Sequence, residues 1–254
     1  MRPRPLARFD GEDRLPQGSH RARGVVLRRR DSPSGSQEIL VFLTAHGATR
    51  ISAPGAGGAK NRFGAGTEPL VWGSFDLYQS PRRLYLKGVD VREDFWSIRG
   101  RRRALLTAVS WCGELAARLP HGAESDSLLS LLWGSMKNLA SGIDPLLLDI
   151  RFAWRWGNLW GVAPQLDICS SCGGELLSGD RPVRRSQSGL ICADCSRLAP
   201  HDGEVAPISV HTLRQMISSA TMPRGAFASW AASFNPDPGS SPLGDCASWL
   251  YSFL

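Results

Sequence analysis

Four cysteines in two pairs constrain this chain more than any other feature of its sequence. Cys169 and Cys172 form one C-x-x-C pair, Cys192 and Cys195 form the second, and nineteen residues separate the pairs. A two-residue gap lets one tight turn aim both sulfurs at a single ion, and the longer stretch can form a hairpin that returns the second pair. Four thiolates close a tetrahedron around Zn²⁺ with no open position, which predicts one structural zinc ion per chain.

Two disulfides are the alternative use of these cysteines. Disulfides need an oxidising compartment, and residues 1–23 are basic and contain no apolar run typical of a secretory signal. No stretch is apolar for long enough to span a bilayer. We therefore expect a cytoplasmic protein with reduced thiols and no membrane partner. The other two cysteines, Cys112 and Cys246, have apolar neighbours and are expected in the core.

The distribution of charge indicates a polyanionic partner. Residues 1–103 contain 20 Lys and Arg against 10 Asp and Glu, whereas residues 104–254 contain 10 against 13. The positive excess therefore lies wholly in the first part of the chain, a distribution typical of nucleic-acid binding. The alternative is that the charge serves solubility and a basic tail.

The pattern of apolar residues changes along the chain and predicts an α+β protein. Five short apolar runs lie between Gly24 and Asp94, separated by turn residues, and the run Leu70–Tyr78 alternates with a period of two. Five short strands are typical of an oligonucleotide-binding (OB) barrel. After Arg99 the apolar residues recur every three or four positions, which predicts helices. The third begins with Asp144 as a cap and Pro145 in its first turn.

These patterns predict a fold class and four segments. The class is an N-terminal five-stranded OB-fold barrel followed by an α-helical domain with an inserted four-Cys zinc module. The segments are a disordered basic arm over residues 1–22, an OB-fold DNA-binding domain over 23–97, a helical domain over 98–165 and 199–254, and a zinc-binding module over 166–198. The chain has neither a phosphate-binding P-loop nor a G-x-S-x-G nucleophile elbow. We expect a non-enzymatic protein with no small-molecule substrate.

Cationic side chains and one ring are concentrated on predicted turns and strand ends of the barrel. Cations displace counterions from phosphates, and aromatic rings stack on bases. A charged hairpin tip can instead be a solvated surface, but the concentration in one module favours DNA contact. The candidate DNA-binding residues are Arg28, Arg29, Arg30, Lys60, Arg62, Phe63, Arg82 and Arg83.

The order of these parts and several short stretches resemble the bacterial recombination mediator (DNA repair) family RecO. The stretches are Arg23–Arg28, Lys60–Gly64 and the run from Trp160 to Cys169. The resemblance implies a nucleoid-associated protein without catalytic activity that binds single- and double-stranded DNA and promotes annealing. It also implies partnership with RecR in loading the RecA recombinase onto DNA coated by single-strand-binding protein. Two rival hypotheses are a non-catalytic protein-interaction adaptor and an accessory fragment of a nucleic-acid enzyme such as a ligase.

Overall fold

The structure, a computed structural model, describes residues 15–32, 36–57, 61–120, 125–198, 207–234 and 241–254. Contacts divide the chain into two compact units, the first drawn from residues 1–96 and 108–129 and the second from 97–107 and 130–254. Within the described ranges no helix has the length and apolarity needed to cross a membrane. Apart from the end of the predicted arm, which the first strand (Gly18–Asp31) overlaps, the predicted segment boundaries stay a prediction.

The first unit contains a closed five-stranded barrel. Its strands are β1 (Gly18–Asp31), β2 (Gln37–Leu43), β3 (Gly47–Ala53), β4 (Trp72–Gln79) and β5 (Leu84–Glu93). The order β1-β2-β3-β5-β4 closes because the long strand β1 pairs with both β2 and β4. Strands β3 and β5 are parallel, joined at Ser52 and Tyr85, and the other neighbours are antiparallel. The predicted five-stranded barrel is confirmed.

The barrel interior follows the alternation that the sequence predicts. Along β4, Phe75 and Leu77 are fully buried, whereas Tyr78 is 41% exposed. The backbones of β1 and β2 also approach too closely for a side chain at Gly24, where an added Cβ would lie 2.3 Å from the Phe42 carbonyl oxygen. Apolar packing inside the barrel therefore fixes which β4 side chains face outward.

A β-bulge in β1 decides which of its arginines face outward. Val26 is opposite Val41, but the register then shifts, so that Arg29 rather than Arg28 is opposite the buried Ile39. Arg29 consequently continues the inward series and forms ion pairs with Glu68 and Asp31, the latter at 3.6 Å. Arg28 and Arg30 are exposed. The extra residue of a bulge shifts the phase of side-chain alternation in this way.

The first strand begins earlier than the sequence suggested. Residues 18–22, assigned above to the disordered arm, are part of β1, because Ser19 and Arg21 are paired with Tyr78 and Asp76 of β4. Strand β4 supplies the backbone hydrogen-bonding partners of residues 18–22, and the polar composition of these residues does not reveal that pairing. The start of the predicted arm, residues 1–14, lies outside the described residues.

Eight α-helices lie in the part of the chain that the structure describes. They are α1 (Trp96–Arg99), α2 (Arg102–Arg118), α3 (Asp126–Ala140), α4 (Pro145–Leu159), α5 (Ala193–Leu198), α6 (Val210–Thr221), α7 (Arg224–Ala232) and α8 (Ser241–Tyr251). The predicted start of α4 is confirmed, since Asp144 accepts a 2.8 Å hydrogen bond from the Leu146 amide and Pro145 opens the helix. In the second unit α4 packs against α6 and α8.

Two arginines of the run Arg101–Arg103 form contacts within the second unit. The Arg101 guanidinium donates to the carbonyl oxygens of Leu139 and Ala140, at the C-terminal end of α3. Arg103 lies 3.8 Å from the Asp144 carboxylate that caps α4. A cation near a helix C-terminus interacts favourably with the helix dipole. Part of this basic run is therefore structural.

A buried arginine joins α4, α6 and α7. Arg151 is 5% exposed and donates to the carbonyl oxygens of Ser219 at 2.9 Å and Met222 at 2.8 Å. Its guanidinium carbon lies 4.2 Å from the centroid of the Phe227 ring. Burial, together with the charges of Arg155 and Arg224, lowers the pKa of Arg151 to about 10. The guanidinium therefore stays charged at neutral pH and caps the end of α6.

Candidate metal centre and nucleic-acid interface

Backbone hydrogen bonds in the second unit shape the first cysteine turn. The Cys169 amide donates to the Gly174 carbonyl at 2.8 Å, and the Gly173 amide donates to the Cys169 carbonyl at 2.9 Å. Gly173 has a φ of +72°, a left-handed conformation that glycine adopts without steric cost. The turn therefore closes tightly around the Cys169 and Cys172 side chains.

A small hairpin carries the second pair of cysteines to the first. Its strands are β6 (Arg184–Ser186) and β7 (Gly189–Ile191), and Cys192 follows β7 directly. The Ser170 amide donates to the Leu190 carbonyl at 2.8 Å, which ties the first turn to β7. Cys195 lies in the first turn of α5. The hairpin is the element that the spacing between the cysteine pairs predicts.

The four sulfurs form one compact cluster. The Sγ atoms of Cys169, Cys172, Cys192 and Cys195 all lie within 4.8 Å of one another. The Cys192 amide lies 3.3 Å from the Cys169 sulfur, and the Cys195 amide lies 3.4 Å from the Cys192 sulfur. These residues could therefore hold a metal ion. Cys112 and Cys246 are buried elsewhere, as expected of core thiols.

The electrostatics of the cluster favour a bound cation. Burial raises the pKa of Cys169, but hydrogen bonds from the Cys192, Cys172 and Ser171 amides outweigh it and lower the pKa to about 6. In contrast, hydrogen bonding with Cys192 and other neighbouring sulfurs raises the pKa of Cys195 to about 12. One thiolate is thus stabilised mainly by backbone amides, whereas four adjacent thiolates require a positive ion to offset their repulsion.

On the barrel, the loop after β3 brings a cation and an aromatic ring, Arg62 and Phe63, to β5. Arg62 is exposed, lies 5.5 Å from the Phe63 ring centroid and donates to the Lys87 carbonyl at 3.4 Å. The Lys87 ammonium in turn lies 5.2 Å from the centroid of the Tyr78 ring. Asn61 shapes the loop, since its side chain accepts from the Phe63 amide at 3.0 Å. Two cations and two aromatic side chains therefore form one cluster.

The remaining candidate residues have different environments. Arg82 and Arg83 are exposed at the β4–β5 hairpin, where their amides donate to the Ser80 hydroxyl at 3.2 and 2.9 Å. The charge of Arg29 is shared with carboxylates, as described above. Lys60 lies outside the described residues. The structure thus brings Arg62 and Phe63 into contact, and the role of all eight residues in DNA binding stays a prediction.

Sequence reasoning missed Tyr78, Tyr85 and Lys87. Leu84 and Leu86 are buried, so the alternation along β5 directs Tyr85 and Lys87 away from the core. The alternation of apolar and polar residues along β5 was the sequence signal that could have identified Tyr85 and Lys87 as outward-facing. Carboxylates lie nearby, but Asp76 and Asp90 are engaged by Arg21 at 3.1 and 3.4 Å.

Comparison with known proteins identifies relatives across most of the chain. A family profile described as "Recombination protein O C terminal" matches residues 101–230. The chain is 33% identical over 192 residues to the DNA repair protein RecO of Geobacter metallireducens, covering 74% of this chain and 77% of the relative. It is 26% identical over 211 residues to the DNA repair protein RecO of Rubrobacter xylanophilus, covering 83% and 84%.

These matches support the resemblance noted in the sequence. The profile spans half of the chain, and the two relatives extend the similarity over at least three quarters of their own lengths. The barrel, the helices and the four-cysteine cluster follow one another in the order that the resemblance implies. The chain belongs to the RecO family of DNA repair and recombination proteins.

Proposed function

We propose that this RecO-family protein binds single- and double-stranded DNA through the outside of its barrel and promotes strand annealing. With RecR, it would help load RecA onto DNA coated by single-strand-binding protein, with its partners contacting the helical part. The observation that carries the proposal is the pair of exposed cations, Arg62 and Lys87, which are joined by a hydrogen bond and lie beside the rings of Phe63 and Tyr78 respectively. Cations and rings combined in this way suit backbone-tracking DNA binding.

The proposed interface acts by neutralising phosphates. Lys87, Arg62, Arg82 and Arg83 belong to the β3–β4 loop and the β4–β5 hairpin, and all four are exposed. Arg28, Arg30 and Lys60 extend this set, whereas Arg29 mainly holds Glu68. Each phosphate contact releases condensed counterions, so binding is independent of base sequence and sensitive to salt. Neutralising the phosphates of two strands reduces their repulsion, which favours annealing without turnover or a nucleotide.

We propose that the four-cysteine cluster binds one structural Zn²⁺. Four thiolates match the closed tetrahedral sets that hold structural zinc, and the short distances among the sulfurs support this assignment. The ion would fix the β6–β7 hairpin against the first cysteine turn. Elemental analysis of the purified protein is expected to find about one zinc per chain. Purified protein with intact thiols and no bound metal would contradict it.

Fluorescence anisotropy with a labelled oligonucleotide tests DNA binding. Four to six phosphate contacts predict that log Kobs falls with log salt with a slope of about −3 to −4 for single strands. Lys87→Glu should weaken binding to all sequences alike and make the slope shallower. Arg214→Glu, at an exposed position on α6, is the matched control.

Three outcomes would overturn all or part of the proposal. If the protein binds neither single strands nor duplex at low salt, the result favours the hypothesis of a non-catalytic protein-interaction adaptor. If it binds both but does not accelerate the annealing of complementary oligonucleotides, the annealing part fails. Binding that is equally weakened by the Lys87 and Arg214 changes would place the interface elsewhere.

A further inference from the structure

Two of the chain's three tyrosines are neighbours on the outside of the barrel. Tyr78 of β4 and Tyr85 of β5 are directly opposite each other in the antiparallel register. Tyr78 is 41% exposed and Tyr85 is partly exposed. By contrast, Tyr251 is buried and its hydroxyl donates to Asp149 at 2.8 Å. Opposed side chains of adjacent strands lie close enough for their rings to form one surface.

Positively charged side chains lie beside the tyrosine pair on the side of Lys87. The Lys87 ammonium is held 5.2 Å from the Tyr78 ring, and Arg62 reaches the Lys87 carbonyl from the neighbouring loop. These contacts keep the Lys87 charge beside the Tyr78 ring and the Arg62 charge next to Lys87. A phosphate next to a base stacked on Tyr78 would therefore have a cation within reach.

Cations also border the pair on the opposite side. Strands β3 and β5 are parallel, and Ser52 is paired with Tyr85. Arg50 and Arg83 each lie two residues before this pair, so both lie towards the same end of the two strands. Both side chains are exposed. The tyrosine pair thus lies between two sets of positive charge.

The same surface has a defined limit along β4. Asp76, two residues before Tyr78, is bound by Arg21 at 3.1 Å, and Arg21 also lies 3.4 Å from Asp90. Arg92 also lies 3.4 Å from Asp90, so these carboxylates and arginines balance one another and the positive charge beside the tyrosines does not continue along β4.

We infer that Tyr78 and Tyr85 form a base-stacking site for unpaired nucleotides of single-stranded DNA. The inference rests on the proposed DNA-binding function and adds a basis for strand selectivity. Cations attract the phosphates of single strands and duplexes alike, but a duplex keeps its bases stacked inside the helix. Only unpaired bases can lie flat on the exposed rings. The tyrosine pair therefore strengthens single-strand binding selectively.

Substitution of the rings tests this site on the full-length protein. Tyr78→Ala and Tyr85→Ala should each weaken binding to an oligothymidine by about 5- to 100-fold, which corresponds to the stacking energy of one base. Affinity for a duplex of equal length should change by less than about twofold, since the cations are retained. Tyr78→Phe and Tyr85→Phe should keep single-strand affinity, because phenylalanine retains the stacking ring.

A control and a second measurement separate stacking from misfolding. Trp96 is 76% exposed outside this surface, so Trp96→Ala removes an exposed ring without affecting the proposed site. Illumination of unaltered protein bound to an oligonucleotide containing 5-iodouracil should give crosslinks at Tyr78 or Tyr85. This measurement does not depend on the stability of any variant.

The outcomes distinguish this inference from the proposed function. Unaltered protein that binds no DNA overturns both. If it binds DNA, but the alanine variants lose single-strand and duplex affinity equally, or lose neither, the stacking site alone is wrong. Crosslinks confined to residues away from the tyrosines would overturn it as well.

Discussion

Replacing Arg151 by alanine tests whether the second unit depends on its buried cation. The guanidinium donates to Ser219 at 2.9 Å and to Met222 at 2.8 Å, and it lies 4.2 Å from the Phe227 ring centroid. A hydrogen bond to a charged group contributes about 1.5–3 kcal/mol, and a desolvated cation–π contact contributes about 2 kcal/mol. Arg155 would still donate to the Met222 carbonyl at 3.1 Å. We therefore expect Arg151→Ala to lower the free energy of unfolding by about 3–5 kcal/mol rather than by the full sum.

Thermal and urea unfolding measure this loss. For a chain of this length, about 1 kcal/mol corresponds to roughly 2–4 °C, so the unfolding temperature should fall by about 6–20 °C. The urea midpoint should fall with little change in slope. Arg155→Ala is the matched control, because Arg155 is less buried and its guanidinium donates to the Met222 carbonyl, to which Arg151 also donates. Its expected cost is about 1.5 kcal/mol, the low end of the range for a hydrogen bond to a charged group, because Arg151 would still satisfy that carbonyl. Equal losses in the two variants, or a loss below about 1 kcal/mol for Arg151→Ala, would refute the reasoning.

Three further predictions concern the metal cluster, the α4 cap and the barrel. Cys169→Ser should lower bound zinc well below one ion per chain while Cys112→Ala leaves it unchanged, as metal analysis would show. The pKa of Cys169 is lowered to about 6, so its thiolate is available to a metal ion at neutral pH, and metal retention should fall as acid protonates the four ligands. Asp144→Ala removes the cap of α4 and should cost about 0.5–2 kcal/mol in chemical denaturation. Gly24→Ala would place a methyl group 2.3 Å from the Phe42 carbonyl oxygen and should destabilise the barrel by about 1–3 kcal/mol or more in thermal unfolding. Unchanged metal content, an unchanged denaturation midpoint or an unchanged unfolding temperature, respectively, would contradict them.

Local chemistry made much of the fold predictable. The alternation in Leu70–Tyr78 identified a strand with a buried face, and Asp144 and Pro145 marked the start of α4. Cysteine spacing predicted the compact sulfur cluster, because two short turns and a hairpin are enough to bring the thiols together. In each case a short stretch of sequence contains most of the interactions that define the structure.

Features that depend on residues distant in the sequence were harder to predict. Nothing near Arg29 in the sequence indicates its ion pair with Glu68, and the contact between Arg62 and Lys87 joins a loop to a strand 25 residues later. The start of β1 at Gly18 was missed because its pairing partner, β4, supplies the hydrogen bonds. Such contacts follow from barrel closure, and a local pattern does not encode their register.

The bulge in β1 gives a single residue control over the surface chemistry of the barrel. Without the register shift between Val26 and Arg28, strict alternation through Leu27 would place Arg28 and Arg30 in the inward series, and only Arg29 would point outward. Two guanidinium groups would then enter the end of the barrel, where the structure places a single arginine beside Glu68 and Asp31. A regular strand of the same sequence would re-aim three consecutive charges, whereas deletion of Leu27 would remove the bulge and leave the three arginines as they are. Homologues whose first strand has the same length but no bulge are therefore expected to present different charge patterns on similar barrels.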